Sequence, residues 1–406
     1  MAVPRVIIAG AGLGGLCLAQ GLRQAGIDVA IHERDAAIDA RPQGYRLHID
    51  GRGAVGLHAC LPPERYDLVL ATSGAPSTQL TVLTTRLRQL KVMRFEGAAS
   101  DAPEALNTSV DRQVLREILL AGLEDVVHFG HAIVGYDLAG DRVRVRLGDG
   151  TTDEGDLLVG ADGVGSTVRR QLVPDAVVAE TGEFCIYGRT TLTPEIAGVI
   201  PEQLRNGFVA VVGLRGLGMA LGMVDFRTPP EEAVRLTPGV ALTAREPYVM
   251  WALSGEARAF GEGEVDAMTG PELHARAMRL IGNWHPRLQE LVAAAEPDAC
   301  FPVRIRVAQP VTPWETGPVT LLGDAIHVMS PARGSGANIA LKDAGRLRDA
   351  IVTAVTGETS LRDAVAGYER EMLQYGFAAV GDSLAVARQG NGPLARILRL
   401  LRGNRA

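Results

Sequence analysis

The sequence predicts an α/β chain in which a parallel-sheet, nucleotide-binding unit is interrupted by an inserted antiparallel sheet. Three stretches predict it. They are a strand–glycine loop–helix–strand unit at the N-terminus, a second glycine loop feeding a helix after residue 334, and a run of alternating strands between about 175 and 300.

At the N-terminus, Val6-Ile7-Ile8-Ala9 reads as a buried strand and runs straight into Gly10-Ala11-Gly12-Leu13-Gly14-Gly15. Leu16, Ala19, Leu22 and Ala25 recur at helical spacing, Gly26 closes that helix, and Ile27 to His32 form a second strand ending in Glu33. In this Gly-x-Gly-x-x-Gly, Gly10 permits the tight turn, Gly12 lets a pyrophosphate approach the backbone, and Gly15 allows close helix–strand packing. Glu33 is placed to hold ribose hydroxyls. The bare motif is weak, but the full βαβ setting with its acid is a specific sign of dinucleotide binding.

The segment from Arg34 to Gly53 carries Arg34, Arg41, Arg46 and Arg52, with alternation over Arg46 to Asp50. A helix follows over 54 to 70, and QLTVLT with LKVMRF predicts a hairpin between 76 and 97. Val110-Asp111-Arg112 opens a helix whose core stripe is Val114, Leu115, Ile118 and Leu119. Short strands fill 126 to 160, with Asp149-Gly150 as a hairpin turn. Asp156 to Gly160 is a strand leading into Ala161-Asp162-Gly163-Val164-Gly165-Ser166 and a helix start.

FCIYGRTTL, GFVAVVGLRG, GMALGMVDF and YVMWALSG then alternate with period two, which predicts an antiparallel sheet; Gly216-Leu217-Gly218 is a turn within it. Met268 to Trp284 and Arg287 to Ala295 read as helices backing that sheet. Val319 to Leu322 is a short buried strand ended by Gly323-Asp324, and Pro331 to Gly336 is a loop before a helix from Ala337. Such a loop presents free N–H groups and the positive end of a helix dipole, which suit an anion. Asp324 is suited to accept hydrogen bonds from hydroxyls. The tail carries Leu394, Ile397, Leu398 and Leu401 on one helical stripe with Arg396, Arg399 and Arg402 elsewhere, after the break Gly390-Asn391-Gly392. Docking of that stripe across the two domains is expected.

A chain of 406 residues is long for one core, so two domains sharing a site are expected. Apolar residues make up 47%, glycines number 48, and the net charge of −6 speaks against nucleic acid. Cys17, Cys60, Cys185 and Cys300 are scattered without metal spacing, which predicts free thiols, no metal and a cytoplasmic protein. The first strand begins by residue 6, leaving no room for a signal peptide, and no apolar run reaches a membrane span, so no stable membrane insertion is expected.

Gly10 to Gly15, GADGVGSTVR (160 to 169) and LLGDAIHVMSP (321 to 331) come in the order and at the separations of one family. The chain resembles the single-component FAD-dependent aromatic monooxygenases of the p-hydroxybenzoate hydroxylase type, over nearly its whole length. The resemblance implies a Rossmann-like FAD-binding domain over 1–75, 105–175 and 300–380. It implies an inserted antiparallel-sheet substrate domain over 76–104 and 176–299, with a C-terminal helical tail over 381–406. Implied cofactor contacts are Gly10, Gly12, Leu13, Gly14, Gly15, Glu33, Arg34, Arg41, Arg112, Asp162, Asp324, Pro331, Gly334, Gly336, Ala337 and Asn338. Tyr187, Phe208, Leu221 and Met223 are implied to face substrate, each with plain core packing as the competing reading, and Pro331 is implied to stand beside the flavin ring and the substrate as a shape element. Arg41 and Arg112 have surface charge as theirs.

By resemblance the cofactors are FAD and NADPH or NADH, and dioxygen is the co-substrate. A flavin C4a-hydroperoxide would hydroxylate a bulky aromatic or polyketide-like small molecule, with no side chain required as nucleophile. ERD (33 to 35), ARPQGYRLHID (40 to 50) and TGEFCIYG (181 to 188) look nearest to tetracycline-inactivating monooxygenases and polyketide hydroxylases. Those enzymes place a histidine near Leu221, whereas none occurs here between His131 and His274. A reductase or halogenase of the same fold, or a ligand-sequestering flavoprotein, stays open as an alternative. So does the choice between monomer and dimer.

Overall fold

Apolar runs with no polar alternation form strands covered on both faces, and that is where Val6 to Ala9 lie, none more than 1% exposed. The computed structural model describes residues 3–40, 44–95, 101–213, 216–261 and 265–391. Arg41 and the tail stripe 394–401 lie outside them. Strand Arg5–Ala9 is central in a five-stranded parallel sheet ordered Val319–Leu321, Leu157–Gly160, Arg5–Ala9, Asp28–Glu33, Val127–Phe129. Pairing sets Ala9 opposite both Gly160 and His32, and Gly160 opposite Leu321. The carboxyl ends of four strands are therefore level, and each continues into one of the sequence motifs.

Helix Leu13–Gln24 crosses back over the sheet and packs on helices Gly51–Cys60 and Gly336–Val355. The last two meet backbone to backbone. A methyl added at Gly56 would run into the Leu341 carbonyl oxygen, and one at Gly345 would lie 3.1 Å from the Gly56 Cα.

The inserted sheet has seven strands, ordered Phe301–Ala308, Val178–Thr191, Tyr248–Glu256, Gly218–Val224, Gly207–Val212, Gln79–Thr84, Gln89–Arg94. Its pairings are antiparallel except that between Gly207–Val212 and Gln79–Thr84. Phe184, Ile186, Leu221, Trp251 and Leu253 point to one face and pack with Leu273, Ala277, Leu288 and Leu291 of helices Gly270–Leu280 and Pro286–Ala293. Cys185, Tyr248, Met250 and Ala252 line the other face with the half-buried Tyr187 and Phe208. Two departures from expectation follow. Phe301–Ala308 is an edge strand of this sheet rather than part of the cofactor domain, because it completes the pairing of Val178–Thr191. Helix Leu361–Asn391 runs unbroken past 381, since its side chains Asp382 and Ser383 bond to Arg333 and the Ser330 carbonyl.

A two-stranded ribbon, Arg46–Asp50 against Asn107–Asp111, joins the two sheets. Arg46 Nε and Ser109 Oγ both donate to the Met223 carbonyl, at 3.2 and 3.3 Å. Strands Ile133–Ala139, Arg142–Leu147 and Thr152–Gly155 form a separate antiparallel sheet. Among the described residues no helix is long and apolar enough to cross a membrane, no cluster of metal ligands occurs, and the four cysteines are buried free thiols.

The helix contact sets a test. Gly56→Ala is expected to lower unfolding stability by about 1–3 kcal/mol in urea titration, because neither backbone can yield. Gly198→Ala, in a helix with nothing within 4 Å of the new methyl, is expected to leave stability unchanged or raise it.

Candidate cofactor and substrate site

The fingerprint loop leaves the central strand at Gly10, whose φ of +103° suits glycine and whose Cβ would lie 2.6 Å from the Ala161 carbonyl oxygen. A methyl at Gly15 would meet the Gly10 carbonyl, and one at Gly14 would lie 2.6 Å from Leu322 Cδ1. These two glycines and the buried Leu13 serve packing. Gly12 differs: nothing lies within 4 Å of an added methyl, and it begins helix Leu13–Gln24 without a side-chain cap. Open space above uncapped N–H groups at a helix start is a phosphate cradle. Glu33 lies beside it, its carboxylate accepting from Ala11 N at 2.7 Å and Asp35 N at 2.9 Å. Each oxygen keeps a lone pair for a hydroxyl donor. Arg34 is exposed at the rim, its Nε 3.8 Å from Asp35.

Sequence reasoning missed Arg116, which is 1% exposed and donates to the carbonyls of Ile38 and Ala11, pinning the loop from behind. Its signal is the spacing: Arg112 and Arg116 are four apart on one helix face.

The Asp-Gly motif supports rather than presents. Asp162 Oδ2 accepts from Thr167 N at 2.7 Å and Val168 N at 3.3 Å, so that oxygen caps its own short helix. Arg169, also missed, donates to the Ala325 carbonyl at 2.7 Å and the Val164 carbonyl at 2.9 Å, bracing this motif against the Gly-Asp motif.

Asp324 begins the turn after the strand Val319–Leu321 and opens to the cleft. The walls of the cleft desolvate its carboxyl and raise its pKa, with His327 and Arg112 pulling the other way. Facing it is the N-terminus of helix Gly336–Val355, where Ser335 makes no side-chain cap and a methyl on Gly336 would lie 3.8 Å from Asp324 Oδ1. Pro331 and Gly334 are exposed in the preceding turn, and Ala337 is half-buried. Asn338 uses its side chain to hold the loop. Its side chain is wholly buried, donates to the His48 and Gly334 carbonyls, and accepts from Asp50 N at 2.9 Å. It stitches the ribbon to the loop, with both amide hydrogens and one oxygen lone pair engaged.

Behind Asp324 lies a second missed group. Asp343, fully buried, accepts from Gly323 N at 2.8 Å, from Tyr375 OH at 2.7 Å and from His327 Nε2 at 2.7 Å. Burial alone would lower the His327 pKa, but the Asp343 carboxylate overcomes it and raises it.

Tyr187 and Phe208 stand on the sheet face turned toward the cofactor domain, Tyr187 stacked on Phe301 at 5.4 Å. Arg112, the first residue of its helix, is near enough to both Asp324 and Tyr187 for its charge to pull the pKa of each down against burial. Leu221 and Met223 do not join this group. They share the helix-backed face of the sheet, Leu221 wholly buried, while Ala220 and Val224 pack on the cleft face. Large side chains fill the core there, and the small ones between them leave room.

The His327–Asp343 pair carries a pH test. With the folded pKa raised above about 6.5, its stabilisation is fully present below that value and is lost as pH rises through the raised one. Thermal unfolding from pH 5.5 to 9 is expected to show this decline in wild type. It should be absent in His327→Asn, whose melting temperature should lie below wild type throughout.

A family model described as FAD binding domain matches residues 107–383. The chain is 35% identical over 366 residues to the dual O-methyltransferase/FAD-dependent monooxygenase CTB3 of Cercospora beticola, covering 86% of this chain and 42% of that protein. It thus spans less than half the length of that relative. It is 27% identical over 341 residues to the aurachin C monooxygenase/isomerase of Stigmatella aurantiaca, covering 84% of this chain and 78% of that one. A solved structure of a candidate FAD-containing monooxygenase from Photorhabdus luminescens superposes with a TM-score of 0.82 at 30% identity, over 95% of this chain and 98% of that one. Together with the uncapped glycine loop, Glu33 and Asp324, these matches lead to one conclusion: the chain belongs to the FAD binding domain family of p-hydroxybenzoate hydroxylase-like flavoproteins, and its cofactor is FAD.

Proposed function

We propose that the protein is an FAD-dependent monooxygenase that uses NAD(P)H and dioxygen to hydroxylate a bulky aromatic or polyketide-like small molecule. The observation that supports this is that the uncapped Gly12 loop and Asp324 follow the carboxyl ends of strands in one parallel sheet, with Tyr187 and Phe208 together on one face of the inserted sheet. Relatives that are named monooxygenases support it, among them one named for aurachin C.

The chain's own residues divide the work. The Gly12 loop would receive the pyrophosphate, Glu33 and Asp324 would accept from cofactor hydroxyls, and Arg112 would balance negative charge between Asp324 and Tyr187. The start of helix Gly336–Val355 would favour negative charge by about 0.3–1 kcal/mol, more where water is excluded. When bound, FAD supplies the redox chemistry, taking a hydride from NAD(P)H and delivering one atom of dioxygen. The protein positions the reactants and keeps water out.

Purified protein is expected to be yellow and to release about one FAD per chain on heating. Ligand-stimulated NAD(P)H oxidation with isotope from labelled dioxygen in the product is the functional test; oxidation without incorporation would point to a reductase or a sequestering protein instead. Asp324→Ala is expected to weaken FAD binding by about tenfold or more, because a closed site cannot replace its acceptor with water. Asp162→Ala should mainly cost about 0.5–2 kcal/mol of stability through the lost helix cap. Equal flavin content in wild type and Asp324→Ala would refute the role given to Asp324.

A further inference from the structure

Arg46 opens the ribbon strand, and its guanidinium is held beside the Phe208 ring. Nε donates to the Met223 carbonyl at 3.2 Å, and the guanidinium carbon lies 5.5 Å from the centroid of the Phe208 ring. Gly222 makes room for it, since a methyl there would lie 2.6 Å from Arg46 Cδ. Its two terminal nitrogens donate to no acceptor, and no carboxylate lies within ion-pair reach among the described residues.

Two fully buried arginines contrast with the half-buried Arg46. Arg116 and Arg169 each donate both terminal nitrogens to main-chain carbonyls. At the far edge of the same sheet, Arg189 pairs with Glu296 and Arg304 with Asp266.

A half-buried cation that has lost part of its hydration is favoured by a nearby anion, and protein folds often supply one. Among the described residues no carboxylate pairs with it, and Asp225 stands exposed at the rim of the space it borders. The Tyr248 hydroxyl donates to Asp111 Oδ2 at 2.8 Å and stays protonated, since burial and that carboxylate push its pKa far up. His48, on the same strand, is held neutral by burial and by the Arg46 charge. Burial pulls Arg46 down to about 10, which leaves it charged at neutral pH.

The guanidinium borders a cavity of about 30 Å³ lined also by Ser77, Ser109, Gly207 and Met223, with Arg205 and the exposed Asp225 at its rim. That space admits a group the size of one or two waters. A carboxylate or an ionised hydroxyl is of that size, and Arg binds the former through paired hydrogen bonds.

We infer that Arg46 is the anchor for an anionic group of the substrate, a carboxylate or an ionised phenol or enol, with the apolar body of the molecule lying along Phe208. The assignment rests on the monooxygenase reading of this cleft and narrows its substrate class to aromatic anions. The cofactor phosphates are a less suitable occupant, because their cradle lies on the parallel sheet whereas Arg46 is tied to the inserted one.

The test titrates the FAD-loaded protein with three acid and methyl-ester pairs: benzoate, 1-hydroxy-2-naphthoate and anthracene-2-carboxylate. Binding is read from the flavin absorbance change. Wild type is expected to bind at least one acid about tenfold or more tightly than its ester. Arg46→Gln should erase that preference and keep its FAD, and Arg46→Lys should restore part of it. Should Arg46→Gln not fold, a weakened preference in Arg46→Lys decides for the assignment and an unchanged one against it. Binding of neither member of any pair, equal binding of acid and ester by wild type, or a preference that survives Arg46→Gln would overturn it. So would loss of FAD in Arg46→Gln with retention in Arg46→Lys, which would give the arginine to the cofactor. NAD(P)H oxidation measured on the same samples separates the two readings. Acid preference without stimulated oxidation supports Arg46 and counts against monooxygenation alone; stimulated oxidation without acid preference counts against Arg46 alone.

Discussion

Parallel pairing sets Ala9 beside Gly160 and His32, and Gly160 beside Leu321, so four strands end at one level. The site depends on that register. A slip of one residue would move a motif by about 3.3 Å and turn its side chains to the opposite face. Gly10, Asp162, Glu33 and Asp324 come from distant parts of the sequence, yet each lies within three residues of one of those strand ends. The apolar strands that fix the register are buried on both faces, and the largest core cluster is built around them. Burial of this sheet and placement of the cofactor groups are therefore one event.

Charges buried behind the loops do the second part of the positioning. Arg116 grips the fingerprint loop, Arg169 braces the Asp-Gly turn against the Gly-Asp turn, and Asp343 gathers Gly323 N, His327 and Tyr375. Most of these bonds end on main-chain atoms, which fixes the path of the loop itself. Loops that must leave N–H groups free for a ligand cannot bind one another through those groups. Side chains from neighbouring helices hold them instead.

What was legible in the sequence is what local geometry dictates. The glycine loop, its helix and Glu33 lie within one βαβ unit, so spacing alone predicts where they stand. Leu221 and Met223 were misplaced because their strand is apolar on both sides, and alternation then says nothing about which side is the core. Size is the better guide: Met219 and Leu221 fill the helix-backed face, while Ala220 and Gly222 leave space opposite. Asn338 and Asp162 look like ligand-binding groups in any loop motif, but at least part of their bonding capacity goes to the loops that carry them. Arg46 was read only as one of several arginines in a basic segment. Its isolation from carboxylates is a tertiary fact, set by strands more than 150 positions away.

The order of the sheet also governs how the chain is made. Leu157–Gly160 pairs on one side with Arg5–Ala9, available early, and on the other with Val319–Leu321, which emerges only after the whole inserted sheet. Contacts of such separation close slowly, and an unpaired apolar strand is a template for wrong partners. During synthesis the nascent chain must carry that edge open, and the Gly-Asp turn lacks the Asp343 carboxylate until helix Gly336–Val355 follows. Flavin capture is thus confined to the last stage of translation or later. A chain truncated before residue 319 would leave the ribosome with an exposed strand edge and no means of closing it.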